Sequence, residues 1–185
     1  QELFDLWDSH GKPVDVSADM TKLTMETISR TAFSTDFGSF SRAEPHPFIP
    51  AMIAALKAGQ RKGSLNAMPG ASLLSKRIDK KNAHHLAYVD SLLDGIIAER
   101  RAGEPDESDL LGIMLHTPHP ETGQRLDDVN IRHQILTFLV AGHETTSGAL
   151  SFALYYIAQN PDILAKAQEE VDQILGPDRE VEPTF

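Results

Sequence analysis

Apolar residues along the chain recur mostly at spacings of three and four, the period of a helix with one buried face. Leu3, Leu6 and Trp7 mark a helix that ends at Gly11. Pro13-Val14-Asp15-Val16 alternates and predicts a short strand. Ser17 or Asp19 is the expected N-cap of a helix bearing Met25, Ile28 and Ala32, and Asp36 to Arg42 reads as loop. Pro45-His46-Pro47 introduces Phe48, Met52, Ala55 and Leu56, a short helix that Gly59 should close. Lys57 to Ser75, with three glycines and a proline, predicts an irregular connection. A long helix then runs to Arg101 on the stripe Leu86, Val89, Leu93, Ile96 and Ile97, and Gly103-Glu104-Pro105 stops it.

Ser108 or Asp109 opens a shorter helix with Leu110, Leu111, Met114 and Leu115, and Thr117 to Gln124 is a turn. Asp127 or Asp128 caps a helix that continues unbroken to Gln159. Asn160 is the expected cap of a last helix, with Pro161 at its first position and Gly176-Pro177 at its end. That helix carries the stripe Ile163, Leu164, Ala167, Val171, Ile174 and Leu175. With strand signals almost absent, the fold class is mainly α.

The helix around Gln134 to Tyr156 departs from an ordinary amphipathic pattern. Its apolar run meets seven small or polar residues, Gly142 to Gly148, and then resumes. Glu144 and its neighbours argue against a membrane span, which needs about 20 apolar residues. A soluble helix apolar nearly all round should be buried. Polar groups at its midpoint then need partners, and glycine weakens a helix by about 1 kcal/mol relative to alanine. At about 100° per residue, Phe138, Ala141, Gly142, Thr145 and Ala149 share one face. Its small residues leave room for something flat, Thr145 offers a hydroxyl at the edge, and Glu144 lies roughly 100° round. Two readings stay open on these residues alone: a ligand-facing surface, or a close helix crossing with Thr145 merely satisfying a carbonyl.

The remaining candidate chemistry is sparse. In His143-Glu144 the second His of a zinc-hydrolase motif should stand at position 147, which is Ser147. His133 and His143 are too far apart on the helix to pair on a metal, so no metal site is expected. His84, His85, His116 and His119 read as solvated. The 185 residues include 17 Lys and Arg against 27 Asp and Glu, a net charge of −10 that argues against nucleic acid or an anionic membrane surface as partner. There is no Cys, so no disulfide or thiolate ligand can come from this chain.

Ala141-Gly142-His143-Glu144-Thr145-Thr146 resembles the central-helix signature of the cytochrome P-450 family. Pro120-Glu121-Thr122-Gly123, Leu126-Asp127-Asp128 and Ile131-Arg132 resemble its lead-in, and Ser151 to Tyr155 followed by Asn160-Pro161 its exit. Pro45-His46-Pro47-Phe48 and Asp15 to Thr27 add to the likeness, which is weakest from Lys57 to Ala83. Together they are most similar to the bacterial self-sufficient fatty-acid hydroxylases, whose haem domain is fused to a diflavin reductase.

The resemblance implies the distal helical portion of a haem domain, spanning 1–185 as one partial domain with the oxygen-binding helix at about 128–159. It implies haem as cofactor, with Ala141, Gly142, Phe138 and Thr146 against it. Thr145 would order the water that delivers protons during dioxygen cleavage, with Glu144 relaying protons from solvent. Phe138, Met52 and Leu56 would touch a hydrophobic substrate, a fatty acid. The implied partners are O2 and a flavin reductase passing electrons from NADPH, in the cytoplasm. The family's Cys ligand and its supporting Glu-x-x-Arg pair are missing from this chain. It begins inside an amphipathic run and ends with no element completed, so it reads as incomplete at both ends. The chain alone is expected to be inactive. The rival readings are a non-catalytic helical interaction protein and a helical binder of an apolar ligand.

Overall fold

The computed structural model describes residues 2–11, 13–42, 45–65 and 71–175, the side chain of His10 apart. All regular structure among them is helical: α1 (Glu2–His10), α2 (Val16–Phe33), α3 (Phe48–Leu65), α4 (Ala71–Ala102), α5 (Leu110–His116), α6 (Asp128–Gln159) and α7 (Pro161–Leu175). The expected strand at Pro13–Val16 is absent. The Asp15 carboxylate accepts from the amide of Ala18 and starts α2 at Val16, ahead of the expected caps Ser17 and Asp19.

Two helices are longer than their glycines predict. α3 continues through Gly59 and Gly63 to Leu65, and α4 already begins at Ala71. Most of Lys57 to Ser75 is therefore a packed antiparallel hairpin; Asn66 to Gly70 lies outside the described residues. Burial of Ala58 and a Lys62–Asp79 ion pair at 2.8 Å tie the hairpin together, outweighing a glycine cost of about 1 kcal/mol each. On α4 the buried stripe is Val89, Leu93 and Ile97, whereas Leu86 is exposed.

The core lies where α2, α4 and α5 meet the first half of α6. Met25, Phe33, Phe48, Met52, Leu93, Leu111, Leu115, Ile131, Ile135 and Leu139 are fully or almost fully enclosed there. Phe37, from the loop after α2, stacks on Phe48 with ring centroids 5.4 Å apart. His46 lies against the same ring at 4.9 Å, and its Nδ1 accepts from the Phe48 amide at the start of α3.

A buried junction fixes the far end. Asp109 caps α5 by accepting from the Gly112 amide, and also receives the Ser34 hydroxyl at 2.6 Å and the Arg100 guanidinium. These contacts join the end of α2, the end of α4 and the start of α5. A second buried carboxylate, Glu26, is held by Arg30 at 2.7 Å and by the amide of Ser39 at 3.0 Å.

The boundaries of α6 agree with the pattern, with Asp127 as cap. Asn160 does not cap α7 with its side chain, which donates back to the Tyr156 carbonyl; its backbone carbonyl receives the amides of Ile163 and Leu164. The apolar stripe of α7 is left largely open: Ala167 is half-buried and no residue of the helix is fully buried. Gly176-Pro177 lies outside the described residues.

Two outcomes follow. A Cβ at Gly112 would stand 1.7 Å from the Asp106 carbonyl oxygen, and that neighbour is backbone. Gly112→Ala should therefore cost about 2 kcal/mol or more in chemical denaturation. Burial, then the nearby Arg42 charge, holds His46 below its ordinary value, against a weaker opposing pull from Glu26. The unfolded chain then binds the proton first, so stability falls as pH drops below the usual histidine value of about 6.5 toward the folded-state value. His46→Asn keeps an acceptor for the Phe48 amide and does not titrate. Melting temperatures from pH 7.5 to 5 should fall more for the native chain than for His46→Asn.

Candidate functional site

The middle of α6 is polar on one side and bare on the other. Ile131, Ile135, Leu139, His143 and Ser147 form its buried row. Residues four apart turn about 40° from one to the next, so this row winds obliquely round the helix. A fixed helical face is consequently buried near the N-terminus and open further along. That is why the expectation of a helix buried all round fails: Phe138, Ala141, Thr145 and Ala149 are all exposed.

Gly142 does not share that open face as the wheel predicts. A Cβ there would meet Ile28 of α2 at 3.2 Å, so the missing side chain permits a close crossing of α2 and α6. Next to it Thr24 of α2 donates to the His143 carbonyl at 2.9 Å, a bond between two buried residues. The Nδ1–H of His143 donates to the Leu139 carbonyl at 2.8 Å, which places the ring proton on Nδ1. Thr24 escaped the sequence reading. Its signal was a hydroxyl on the same i, i+4 row as Met20 and Ile28, which should be apolar throughout.

Thr145 donates to the Ala141 carbonyl one turn earlier at 2.7 Å. Ser147 donates to Glu144 at 3.1 Å and Ser151 to Ser147 at 2.7 Å. Hence the carbonyls of Leu139, Ala141, His143, Glu144 and Ser147 each carry a side-chain hydrogen bond. Such bonds compete with the helical ladder and bend it. Because its proton is committed to Ala141, the Thr145 oxygen presents acceptor lone pairs outward. The close-crossing reading holds, since Gly142 serves the helix crossing and Thr145 satisfies a carbonyl, while an open face with a hydroxyl remains.

That face is a strip of small residues, Ala141, Thr145 and Ala149, between Phe138, 38% exposed, and Phe152, 65% exposed. Glu144 and Thr146 are exposed beside it. Met52 lies away from the strip, wholly enclosed in the core. Leu56 is half-buried against the same core. Of the histidines read as solvated, His116 departs, since it ends α5 with its Nε2 enclosed. His85 is half-buried, its ring tilted about 40° against that of His84 with centroids 3.8 Å apart.

Among the described residues no group of three His, Asp or Glu could hold a metal ion, and no helix is long and apolar enough to cross a membrane.

Residues 3–185 match the cytochrome P-450 family along the whole signature and its flanks. The chain belongs to the cytochrome P-450 family. A bifunctional cytochrome P-450/NADPH–P-450 reductase of Bacillus cereus is 50% identical over 163 residues, which are 88% of this chain and 15% of the relative. A self-sufficient cytochrome P-450 monooxygenase of Phanerodontia chrysosporium is 43% identical over 183 residues, 96% of this chain and 17% of that protein. The crystal structure of the heme domain of cytochrome P-450DA superposes with a TM-score of 0.83 at 42% identity, covering 98% of this chain and 38% of that one. The chain therefore spans about one sixth of its curated relatives and under half of the solved domain.

Haem is the family's cofactor, and the residues present can be tested against it. The flat strip on α6, small along its centre and aromatic at both ends, suits a planar macrocycle. The axial thiolate has no source, because the sequence contains no Cys. This chain fits one face of a haem and not its ligation.

Proposed function

We propose that residues 1–185 are a partial haem domain of a monooxygenase, with α6 as its oxygen-binding helix, acting on a hydrophobic substrate in the complete protein. The observation that carries this reading is the open strip on α6 with the Thr145 hydroxyl at its edge. Haem, when bound, supplies the redox centre at which dioxygen is activated, and thiolate ligation sets its character.

Phe138, Ala141, Gly142 and Thr146 are the proposed cofactor contacts; Gly142 contributes backbone, since its Cα faces Ile28. Phe138, Met52 and Leu56 are the proposed substrate contacts. Thr145 has two states available. Donating to Ala141, as here, it holds a water by accepting from it. Rotated away, it donates into the open face and leaves the Ala141 carbonyl to its helical bond. Glu144, exposed one position earlier, exchanges protons with solvent and replenishes that water.

The partners that support this reading come from the relatives, whose names join a cytochrome P-450 to an NADPH reductase. By that analogy a flavin reductase delivers electrons from NADPH. The fatty-acid substrate and the cytoplasmic setting are proposed from the resemblance of the signature and its flanks alone. The chain by itself is inactive, because the axial Cys must come from elsewhere. Haem added to the isolated chain should give no reduced carbon-monoxide band of the thiolate-ligated type; such a band would overturn that statement.

In the complete protein, Thr145→Ala should uncouple the reaction while leaving substrate affinity within a few-fold. A positioned proton donor is worth typically about 10²–10⁴-fold, and solvent water replaces part of it. Glu144→Gln should act in the same direction, more weakly. The measurement is product formed per reductant consumed, with peroxide assayed alongside. Native coupling with collapsed substrate affinity would make Thr145 a pocket residue instead.

A further inference from the structure

Four threonines of α2 bring their hydroxyls within bonding distance of the carbonyl one turn earlier: Thr21 on Ser17, Thr24 on Met20, Thr27 on Leu23 and Thr31 on Thr27. Thr24 differs from the other three in two respects. It is buried, and it also faces another helix, with the His143 carbonyl of α6 at 2.9 Å. Its acceptors within α2 lie further off, Met20 at 3.0 Å and Thr21 at 3.3 Å. A hydroxyl has one proton, so these three oxygens compete for it. The cross-helix contact decides the competition. With the proton turned away, two electronegative oxygens would face each other at 2.9 Å in a buried site, where low polarity strengthens their repulsion. Met20, by contrast, keeps a helical amide partner without the hydroxyl. The Thr24 proton therefore belongs to His143.

That carbonyl closes a particular turn. α6 is unbroken here, so the His143 carbonyl also pairs with the amide of Ser147, four residues on. The turn spanned by this rung holds Glu144, Thr145 and Thr146. A carbonyl shared between two donors holds each more weakly, because the side-chain hydroxyl competes with the helical ladder. Of the five loaded carbonyls in the segment, those of Leu139, Ala141, Glu144 and Ser147 are loaded by side chains of α6 itself. The carbonyl of His143 is loaded from α2. The stiffness of the turn around Thr145 is thus set by a neighbouring helix and not by the sequence of α6.

We infer that Thr24 is a positioning residue for Thr145. It lies between α2 and α6, on the side of α6 away from the open strip, and acts through the His143 carbonyl. By weakening the rung across the turn, its hydroxyl lets Thr145 pass between two settings, bonded to Ala141 or turned into the open face. The isosteric apolar residue Val would fill the same space and make no such bond, so the hydroxyl and not the volume carries the role. The inference rests on the reading of α6 as the oxygen-binding helix as far as turnover is concerned; the loosening of the turn by Thr24 stands on the geometry of the two helices.

The test uses the complete protein with Thr24→Val, which keeps the shape, and Thr24→Ser, which keeps the hydroxyl. Hydrogen exchange at the Ser147 amide is read first. With its competitor gone, that amide should exchange several-fold more slowly in Thr24→Val and at the native rate in Thr24→Ser. A residue that merely packed the crossing would give the opposite sign, since looser packing speeds exchange. Thr27→Val, at an exposed site whose hydroxyl bonds its own helix, should leave the Ser147 amide unaltered. Product formed per reductant consumed is read second. Thr24→Val should lower it several-fold with KM nearly unchanged, and Thr24→Ser should restore it. Thr24→Val combined with Thr145→Ala should be no worse than Thr145→Ala alone, because the first acts through the second. Should Thr24→Val fail to fold, Thr24→Ala takes its place with the same expected signs. Faster or unchanged exchange in the hydroxyl-free variant overturns the proposal, and so do losses that add in the double variant. Uncoupling by Thr145→Ala beside native coupling in Thr24→Val overturns the positioning role alone. Native coupling in Thr145→Ala brings down the oxygen-binding reading, and the positioning role with it.

Discussion

The oblique crossing of α2 over α6 governs what every other part of the molecule can do. It brings Ile28 against the bare Cα of Gly142 and lets the Thr24 hydroxyl reach the His143 carbonyl at 2.9 Å. A Cβ at 142 would press on the Ile28 side chain at 3.2 Å, which would have to give by a few tenths of an ångström to keep the crossing. Because the buried row of α6 winds round the helix, the crossing encloses one side of the signature segment and turns the other outward. The open strip of Ala141, Thr145 and Ala149 is the geometric complement of that contact.

The same crossing explains how a weak helix stays in place. Two glycines and five side-chain-loaded carbonyls between Leu139 and Gly148 would favour fraying in an isolated helix. Here the row Ile131, Ile135 and Leu139 is enclosed before the weak stretch begins, and each such side chain contributes about 1.5–3 kcal/mol by burial. Stability is thus concentrated in the first half of α6, leaving the segment that carries Thr145 locally adjustable. The apolar residues of its second half, Phe152, Tyr155 and Tyr156, and most of the stripe of α7 remain uncovered. A surface that large and apolar demands a cover or promotes association.

Charge is distributed with a comparable asymmetry. Acidic residues in the body are tied into local networks, with Glu26, Asp36 and Glu2 on Arg30 and Asp94 on Arg132. The cations at the tip of the α3–α4 hairpin have one acidic neighbour among them in sequence. The body therefore uses ion pairs to hold helices in register, and the tip presents its charge to the surroundings.

Much was legible in the sequence because it depends on local chemistry. Helical period, the caps Asp109 and Asp127, the turn at Thr117 to Gln124 and the full length of α6 are properties of neighbouring residues. The signature around Thr145 is equally local, and it identified the family. What tertiary structure alone decided was direction and competition. A wheel treats a helix face as straight, but ridges packed on a neighbour run obliquely; hence Gly142 belongs to α2 and Ala149 to the open strip. Propensity stopped α3 at Gly59, but packing against α4 carried it to Leu65. Met52 and Leu56 share one helix face in the sequence, and packing alone enclosed the first and left the second half-buried. Thr24 acquires its cross-helix bond only when residues 119 positions apart meet, and no local pattern encodes that meeting.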